Sequence, residues 1–294
     1  MRFIVRVFVC FLFYLPVKGQ YPVWIDTDGA ADDLRAICML LALPETNILG
    51  ITSSEGALSP PETGKKVKSL LSYFGRKSIP VGTGRILPGE PPPWRQQSEQ
   101  IRWGKEKETT DTSLCAVRLI SDALHKTPQK ITFVCLGTLT NLYDVLEKEP
   151  VLKERIAKVI WYNEGTDFGI NYKTDSTAAS VILKSGIQTE IISGAERHIP
   201  ITKAYLDLIN PLPGPYARLI AETHEREPLF SVVLSGHMKT WDDLIPVYIT
   251  APALFTPIEH TPHVTLYTLK NEKAIDRARE TILNILSENL KESP

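Results

Sequence analysis

The chain predicts an α/β fold, a mostly parallel, Rossmann-like sheet with helices on both faces. Three observations carry this. Apolar runs of strand length alternate with segments of helical periodicity from Val23 onward. The 294 residues, 43% hydrophobic and 23% charged, give ordinary globular composition with room for a large core. Segments rich in Asp, Asn and Thr fall where strands should end, the rim at which parallel sheets of this kind bind ligands.

Taken in order, "VWID" reads as a strand, "DDLRAICMLLAL" as a helix, "NILGITS" as a strand, "PPETGKKVKSLLSYF" as a helix and "IPVGTG" as a strand. "ILPGEPPPWRQQSEQIRWGKEKETTD" breaks the rhythm with Pro, Gly and charge, and predicts a long surface excursion. Alternation resumes with "TSLCAVRLISDALHK" (helix), "KITFVCLG" (strand) and "TLTNLYDVLEKE" (helix). "IAKVIWYN" follows as a strand, "DSTAASVILKSG" as a helix and "QTEIISG" as a strand. Beyond Pro200 the pattern is mainly helical, with "VTLYTL" as a late strand and "AIDRARETILNILSENL" as a closing helix. No internal repeat or low-complexity tract is present.

The first nineteen residues stand apart. Arg2 and Arg6, an apolar run from Val7 to Leu15, and Val17 and Gly19 ahead of Gln20 read as a secretory signal peptide over 1–19. The run is short for an anchor that spans a bilayer, and Cys10 lacks the small residues expected before a lipidated cysteine. The expectation is a single α/β domain over 20–294, exported to the periplasm or outside the cell, with no stable membrane span after cleavage. A net charge of −1 gives no electrostatic case for nucleic acid or an anionic membrane as partner. Cys38, Cys115 and Cys135 are an odd set on predicted core elements, expected to act as small buried apolar residues. The histidines show no zinc spacing.

"WIDTDGAADD" crowds Asp26, Asp28, Asp32 and Asp33 between the first strand and the first helix. Carboxylates a few ångströms apart cannot all ionise cheaply, so either protons are retained or a cation is held. Oxygen ligands from Asp suit a hard divalent ion such as Ca²⁺. Capping by Asp32 explains one or two acids at a helix start, not four.

Asp26-Thr27-Asp28-x-x-x-Asp32-Asp33 after a first strand closely resembles the opening of the nucleoside hydrolases, the calcium-dependent N-ribohydrolases. Three further segments are similar to that family in the right order. "ITFVCLGTLTNLYDVL" resembles its L-G-P-L-T-N strand end, "NEGTDFGINYKTDSTAA" its N-x(7)-N-x(3)-D-P-E-A-A stretch through Asn163, Asn171 and Asp175, and "MKTWDDLIPVYI" its H-D-P-L-A helix start through Asp242.

The resemblance implies a small-molecule ribonucleoside as partner, a homodimer or homotetramer, and one Ca²⁺ that holds a water and the ribose diol. It assigns Asp28, Asp33, Asp242 and the Leu136 carbonyl to the ion, and Asp28 also to the proton of the ion's water. Asp32, Asn163 and Asn171 go to the substrate, while Asp26 supports the loop. Attack from one face of the ring, with the base leaving from the other, implies inversion, and the anions suit an oxocarbenium-like transition state. Trp241 stands where the common form has the His that protonates the leaving base. A Trp there belongs to the purine-preferring branch, where stacking assists the base. His237 is the candidate leaving-group acid if it shares a helical face with Trp241. Trp94 and Trp103 are candidates for a second stacking face.

Three departures stand out. Gly169 replaces the Glu that binds the ribose 5′-hydroxyl, Ala57 replaces an Asn in "SSEGAL", and Gly29-Ala30 replace Pro-Gly. Glu55 and Glu164 are the carboxylates available to compensate. The expected activity is N-glycosidic hydrolysis of purine ribonucleosides. The alternatives are a non-catalytic ribose or nucleoside binder, and a hydrolase of another ribosyl compound. A haloacid-dehalogenase-like phosphatase shares only the first D-x-D.

Overall fold

The opening apolar stub becomes β1 (Tyr21–Thr27), an inner strand of a nine-stranded sheet. The computed structural model describes residues 20–104, 114–195 and 197–287, so the predicted leader lies outside them. In chain order β1 is followed by α1 (Ala31–Ala42), β2 (Thr46–Ser53), α2 (Pro60–Tyr73) and β3 (Val81–Thr83). Next come α3 (Arg95–Gln100), β4 (Leu114–Cys115), α4 (Ala116–Lys126), β5 (Ile131–Cys135) and α5 (Thr140–Lys148). The chain continues through β6 (Ile156–Tyr162), α6 (Ile170–Thr174), α7 (Ser176–Lys184) and β7 (Thr189–Ile192). Four helices follow: α8 (Lys203–Ile209), α9 (Pro215–His224), α10 (Leu229–Leu234) and α11 (Leu244–Thr250). The hairpin β8 (Phe255–His260) and β9 (Val264–Leu269) and the helix α12 (Glu272–Ser287) close the described chain.

The strand order is β4-β3-β2-β1-β5-β6-β7-β9-β8. Neighbours pair in parallel, with Ile25 beside both Ile51 and Val134, until the antiparallel β8–β9 pair. The expected mostly parallel sheet is therefore the observed one. Successive side chains of a strand point to opposite faces, and β1 shows it. Val23 and Ile25 join the core under α1, α2 and α9–α12, while Trp24 joins the core under α4, α5 and α7. Among the described residues no helix is long and apolar enough to cross a membrane.

Two strands depart from the sequence pattern. Strand β8 carries Pro257, which argues against an inner strand, but β8 is the sheet's edge, where a missing N–H is tolerated, and its register slips between Pro257 and Glu259. Leu114 and Cys115, read as helix, pair with β3 instead, and α4 begins at Ala116. Cys38 and Cys135 are buried as expected; Cys115 is exposed, because β4 is the opposite edge.

After β1 the chain winds outward through β2, β3 and β4, then returns to place β5 on the other side of β1. The crevice at this reversal, outside the carboxyl ends of β1 and β5, is where such sheets bind ligands. Asp26 braces it from below. Its Oδ2 accepts from Thr52 Oγ1 at 2.5 Å and Asn141 Nδ2 at 2.7 Å, linking β1, β2 and α5. Asn141 Nδ2 also reaches the Ser53 carbonyl. Asn141→Ala leaves Asp26 under-bonded in the interior, and should cost about 1–3 kcal/mol of stability. Urea unfolding reads this directly; an unshifted midpoint would remove the brace from the account.

Candidate active site

The turn after β1 is built by one carboxylate oxygen. Asp33 Oδ1 accepts from Thr27 Oγ1 at 2.6 Å, Asp28 N at 2.9 Å and Gly29 N at 3.3 Å. Gly29 turns the chain at φ +81°, a conformation that suits glycine. The loop thus folds back on the first turn of α1, leaving Asp33 Oδ2 as the oxygen that can meet a cation. Asp28 lies close by, with Oδ1 accepting from Ala30 N at 3.3 Å. The chain after β2 closes over it, and a Cβ on Gly56 would stand 2.0 Å from Asp28 Oδ2. Only glycine allows that approach.

Asp242, more than two hundred residues away, completes the cluster. Carboxylate oxygens of Asp32, Asp33 and Asp242 all lie within 4.8 Å of one another. Asp33 and Asp242 are buried side by side, where two carboxylates cannot both ionise cheaply unless a proton or a cation sits between them. Burial first, and the neighbouring acids second, push Asp28 and Asp242 well above the ordinary carboxylate range. The same causes raise Asp32 to about 7, and burial raises Asp26 to about 6.

A buried ion pair holds Asp242 against this repulsion. Arg35 grips the next residue, Asp243, through Nε–Oδ1 and Nη2–Oδ2 contacts of 2.8 Å each. Both side chains are 3% exposed. Arg35 Nη2 also donates to the Lys239 carbonyl, and Nη1 meets His224 Nε2 at 3.0 Å. His224 Nδ1 lies 2.8 Å from the Ile220 carbonyl, so Nδ1 carries the proton and Nε2 accepts from Arg35. Burial beside the guanidinium holds His224 neutral, with its pKa pushed down to about 3. Helix α1, which starts with the acids, is thereby clamped to the turn that carries the last one.

The donor set fits a hard divalent cation. It is all oxygen, it is anionic, and Asp242 Oδ1 is buried with no hydrogen-bond partner. Such a cluster at a sheet switch point serves more than one chemistry, and the sequence as a whole decides among them. The chain matches the model of the inosine-uridine preferring nucleoside hydrolases over residues 23–279. It belongs to that family.

Nucleoside hydrolases are also among the proteins it resembles. The pyrimidine-specific ribonucleoside hydrolase RihA of Escherichia coli O7:K1 is 26% identical, over 92% of this chain and 98% of its own. The purine-preferring ribonucleoside hydrolase from Gardnerella vaginalis shares the fold at a TM-score of 0.75 and 16% identity, covering 90% of this chain and 99% of its own. The inosine-uridine preferring nucleoside hydrolase from Bacillus anthracis does so at 0.71 and 16%, covering 92% and 100%.

Several assigned residues stand differently from expectation. The tight carboxylate group is Asp32, Asp33 and Asp242, with Asp28 beside it, its Oδ1 accepting from Ala30 N and its Oδ2 in the space that the bare Gly56 leaves open. The Leu136 carbonyl at the end of β5 accepts from Asn171 Nδ2 at 2.8 Å and keeps a second lone pair. Asn171 Nδ2 also bonds the Tyr162 carbonyl, tying the ends of β5 and β6 together. Asn163 is fully buried. Its Nδ2 serves the Gly165 and Phe168 carbonyls and its Oδ1 the Tyr172 N–H, so it shapes its loop instead of meeting a substrate.

The aromatic and imidazole assignments shift too. His237 is exposed, bonded to Ser235 Oγ, and lies in a loop after α10, so no helical face joins it to Trp241. The imidazole beside Trp241 is His198, at 6.2 Å between ring centroids and 66° between planes. Nothing in its local sequence announces it, because only the β7–α8 loop brings it there. Trp103 is 1% exposed and packs edge-on to His224, which makes it core and not a stacking face. Trp94 is 40% exposed at the start of α3 and has no ring partner among the described residues.

Two outcomes follow. Arg35→Met should destabilise the protein by about 3–5 kcal/mol by stranding Asp243 in the interior. Adding Asp243→Leu should recover most of that loss, and equal stabilities for the single and double variants would contradict it. The second outcome concerns pH. Asp26 and Asp32 have folded pKa values above their ordinary 3.8, so the folded chain binds their protons more tightly than the unfolded one. The resulting stabilisation is complete below about pH 4 and is lost as pH rises through about 6 and 7. Metal-free protein should melt at lower temperature at pH 8 than at pH 5, and Ca²⁺ should raise Tm more at pH 8. Calorimetry at both values checks the sign.

Proposed function

We propose that the chain hydrolyses the N-glycosidic bond of ribonucleosides, releasing ribose and the free base. The supporting observation is the convergence of Asp32, Asp33 and Asp242 within 4.8 Å at the sheet switch, with Asp28 against them. Asp28, Asp33, Asp242 and the Leu136 carbonyl would hold Ca²⁺. When bound, the ion lowers the pKa of a water and so supplies a nucleophile at neutral pH.

The chain's own residues do the remainder. Asp28 accepts the proton of the attacking water, and its tendency to take up a proton in this buried setting suits a base. Asp32, partly exposed at the mouth of the cluster, accepts hydrogen bonds from the ribose hydroxyls. The massed negative charge beside the sugar favours the oxocarbenium character of the transition state more than the neutral ground state, which is where rate comes from. Trp241, partly buried and supported edge-on by His198, offers a face to the departing base. A ring at this position favours the larger purine surface, so the preference proposed is for purine nucleosides. RihA, named for pyrimidine specificity, and the Gardnerella vaginalis enzyme, named as purine-preferring, bracket the two outcomes.

The test is base release from inosine, adenosine, guanosine, uridine and cytidine, with and without a chelator. Purine turnover that the chelator abolishes is expected, and comparable rates on uridine and inosine would sink the purine preference. Asp28→Asn should lower kcat by about 10²–10⁴ with nucleoside binding retained. Chelator-sensitive binding without turnover in the unaltered protein would instead identify a nucleoside-binding protein.

A further inference from the structure

The proline-rich excursion after β3 is tied to the body of the fold where it leaves and where it returns. At its start Arg85 Nε donates to Asp144 Oδ2 at 2.9 Å. At its return Lys66 of α2 donates to the Glu99 carbonyl at 3.0 Å and to the Ile101 carbonyl, and Ser69 Oγ donates to the Trp103 carbonyl at 2.7 Å. Between these ties α3 aims Arg95 at the turn after β2. A single nitrogen, Arg95 Nη2, donates to Glu55 Oε1 and to the Gly56 carbonyl, both at 2.5 Å. The two side chains are 18% and 8% exposed, so the pair is largely withdrawn from water. Glu55 Oε2 accepts from Leu87 N at 3.4 Å, which fastens the same carboxylate to the excursion a second time.

That turn seats Asp28. Gly56 lies so close that an added Cβ would stand 2.0 Å from Asp28 Oδ2 and 2.6 Å from its Cγ. The Ala57 N–H faces the same carboxylate. Leu58 N donates to the Asp28 carbonyl at 3.0 Å, and Thr63 Oγ1 does so at 2.8 Å. Gly56 N donates to the Leu58 carbonyl at 3.2 Å, so the turn holds its own shape and moves as a piece. Contact this tight passes any shift of the turn straight to the Asp28 carboxylate. The turn also carries a charge of its own, Glu55, toward a site already crowded with acids. Without a counter-charge, hydration would draw Glu55 outward and Gly56 with it.

We infer that Arg95 is a positioning residue for Asp28: its grip on Glu55 and on the Gly56 carbonyl fixes the Asp28 carboxylate where it can meet a divalent cation. The excursion is thereby part of the support of the site, through one guanidinium. Arg95 acts at one remove from a ligand of the ion, where substitution typically costs about 10–100-fold in metal affinity. This deepens the hydrolase reading above and rests on it for the role of Asp28.

The experiment is calorimetric titration of the metal-free protein with Ca²⁺. Arg95→Met should weaken binding by about 10–100-fold. Because one nitrogen makes both contacts, the single ammonium of Arg95→Lys should recover most of that loss. In an Asp28→Asn background, Arg95→Met should add little further loss, since the grip acts through Asp28. Unchanged affinity in Arg95→Met overturns the inference, as does an equal further loss in the Asp28→Asn background, which would mark a general structural role.

Should Arg95→Met fail to fold with Glu55 stranded, Arg95→Met combined with Glu55→Gln removes the grip and leaves no unpaired charge. It should show the same weakening, and unaltered affinity there overturns the inference equally. The readings fail in different ways. Unaltered protein that binds Ca²⁺ without cleaving inosine sinks the hydrolase and leaves the role of Arg95 standing; unaltered protein that binds no Ca²⁺ sinks the metal site and the role of Arg95 together.

Discussion

Everything in this site depends on forcing like charges together where water is scarce. Asp28, Asp32, Asp33 and Asp242 repel one another, and burial makes each charge dearer still. Left alone, the chain would relieve that strain by moving Asp242 away. It is kept in place by attraction one residue further on, where Asp243 meets Arg35 in a bidentate pair sealed from solvent. The pair links α1 to the α11 turn, so the acids at both ends of the sequence are fixed by one contact. A cation would then complete what protons do in its absence.

The sheet explains why this happens where it does. Strand β1 carries the acids out of the core, and the reversal of strand order leaves an open crevice between it and β5. Polar crosslinks keep the strand ends in register across that gap. Asn141 ties α5 to β1 and β2, and Asn171 ties β5 to β6. Their amide nitrogens are spent on backbone and on Asp26. A rigid floor of this kind lets the residues above it hold a strained arrangement of charge.

The residues that depart from the sequence pattern lie in loops or at a sheet edge, where no periodicity fixes a side chain. Helical spacing would pair His237 with Trp241, yet no helix covers it, and His198 enters from a loop with no periodicity to read. Trp103 sits in a tract rich in Pro and charge, and still reaches the core because α9 offers it the His224 ring. Asn163 was placed by motif, and the motif does not say which of its amide atoms the loop consumes. The pattern around Cys115 predicts a helix with the thiol in the core, whereas a two-residue edge strand exposes it. For His198, Trp103 and Cys115 the decisive partner is remote along the chain, whereas His237 and Asn163 bond within their own loops.

Local order was written in the sequence: alternating strand and helix patterns, the acidic turn that ends β1, and the parallel sheet they imply. These depend on periodicity and on neighbours a few residues apart, so they can be read along the chain. Which acids actually meet, and that Asp243 is gripped by Arg35, were settled only in three dimensions. Pairing and packing depend on distances between residues far apart in the chain, and a linear pattern carries no such distance.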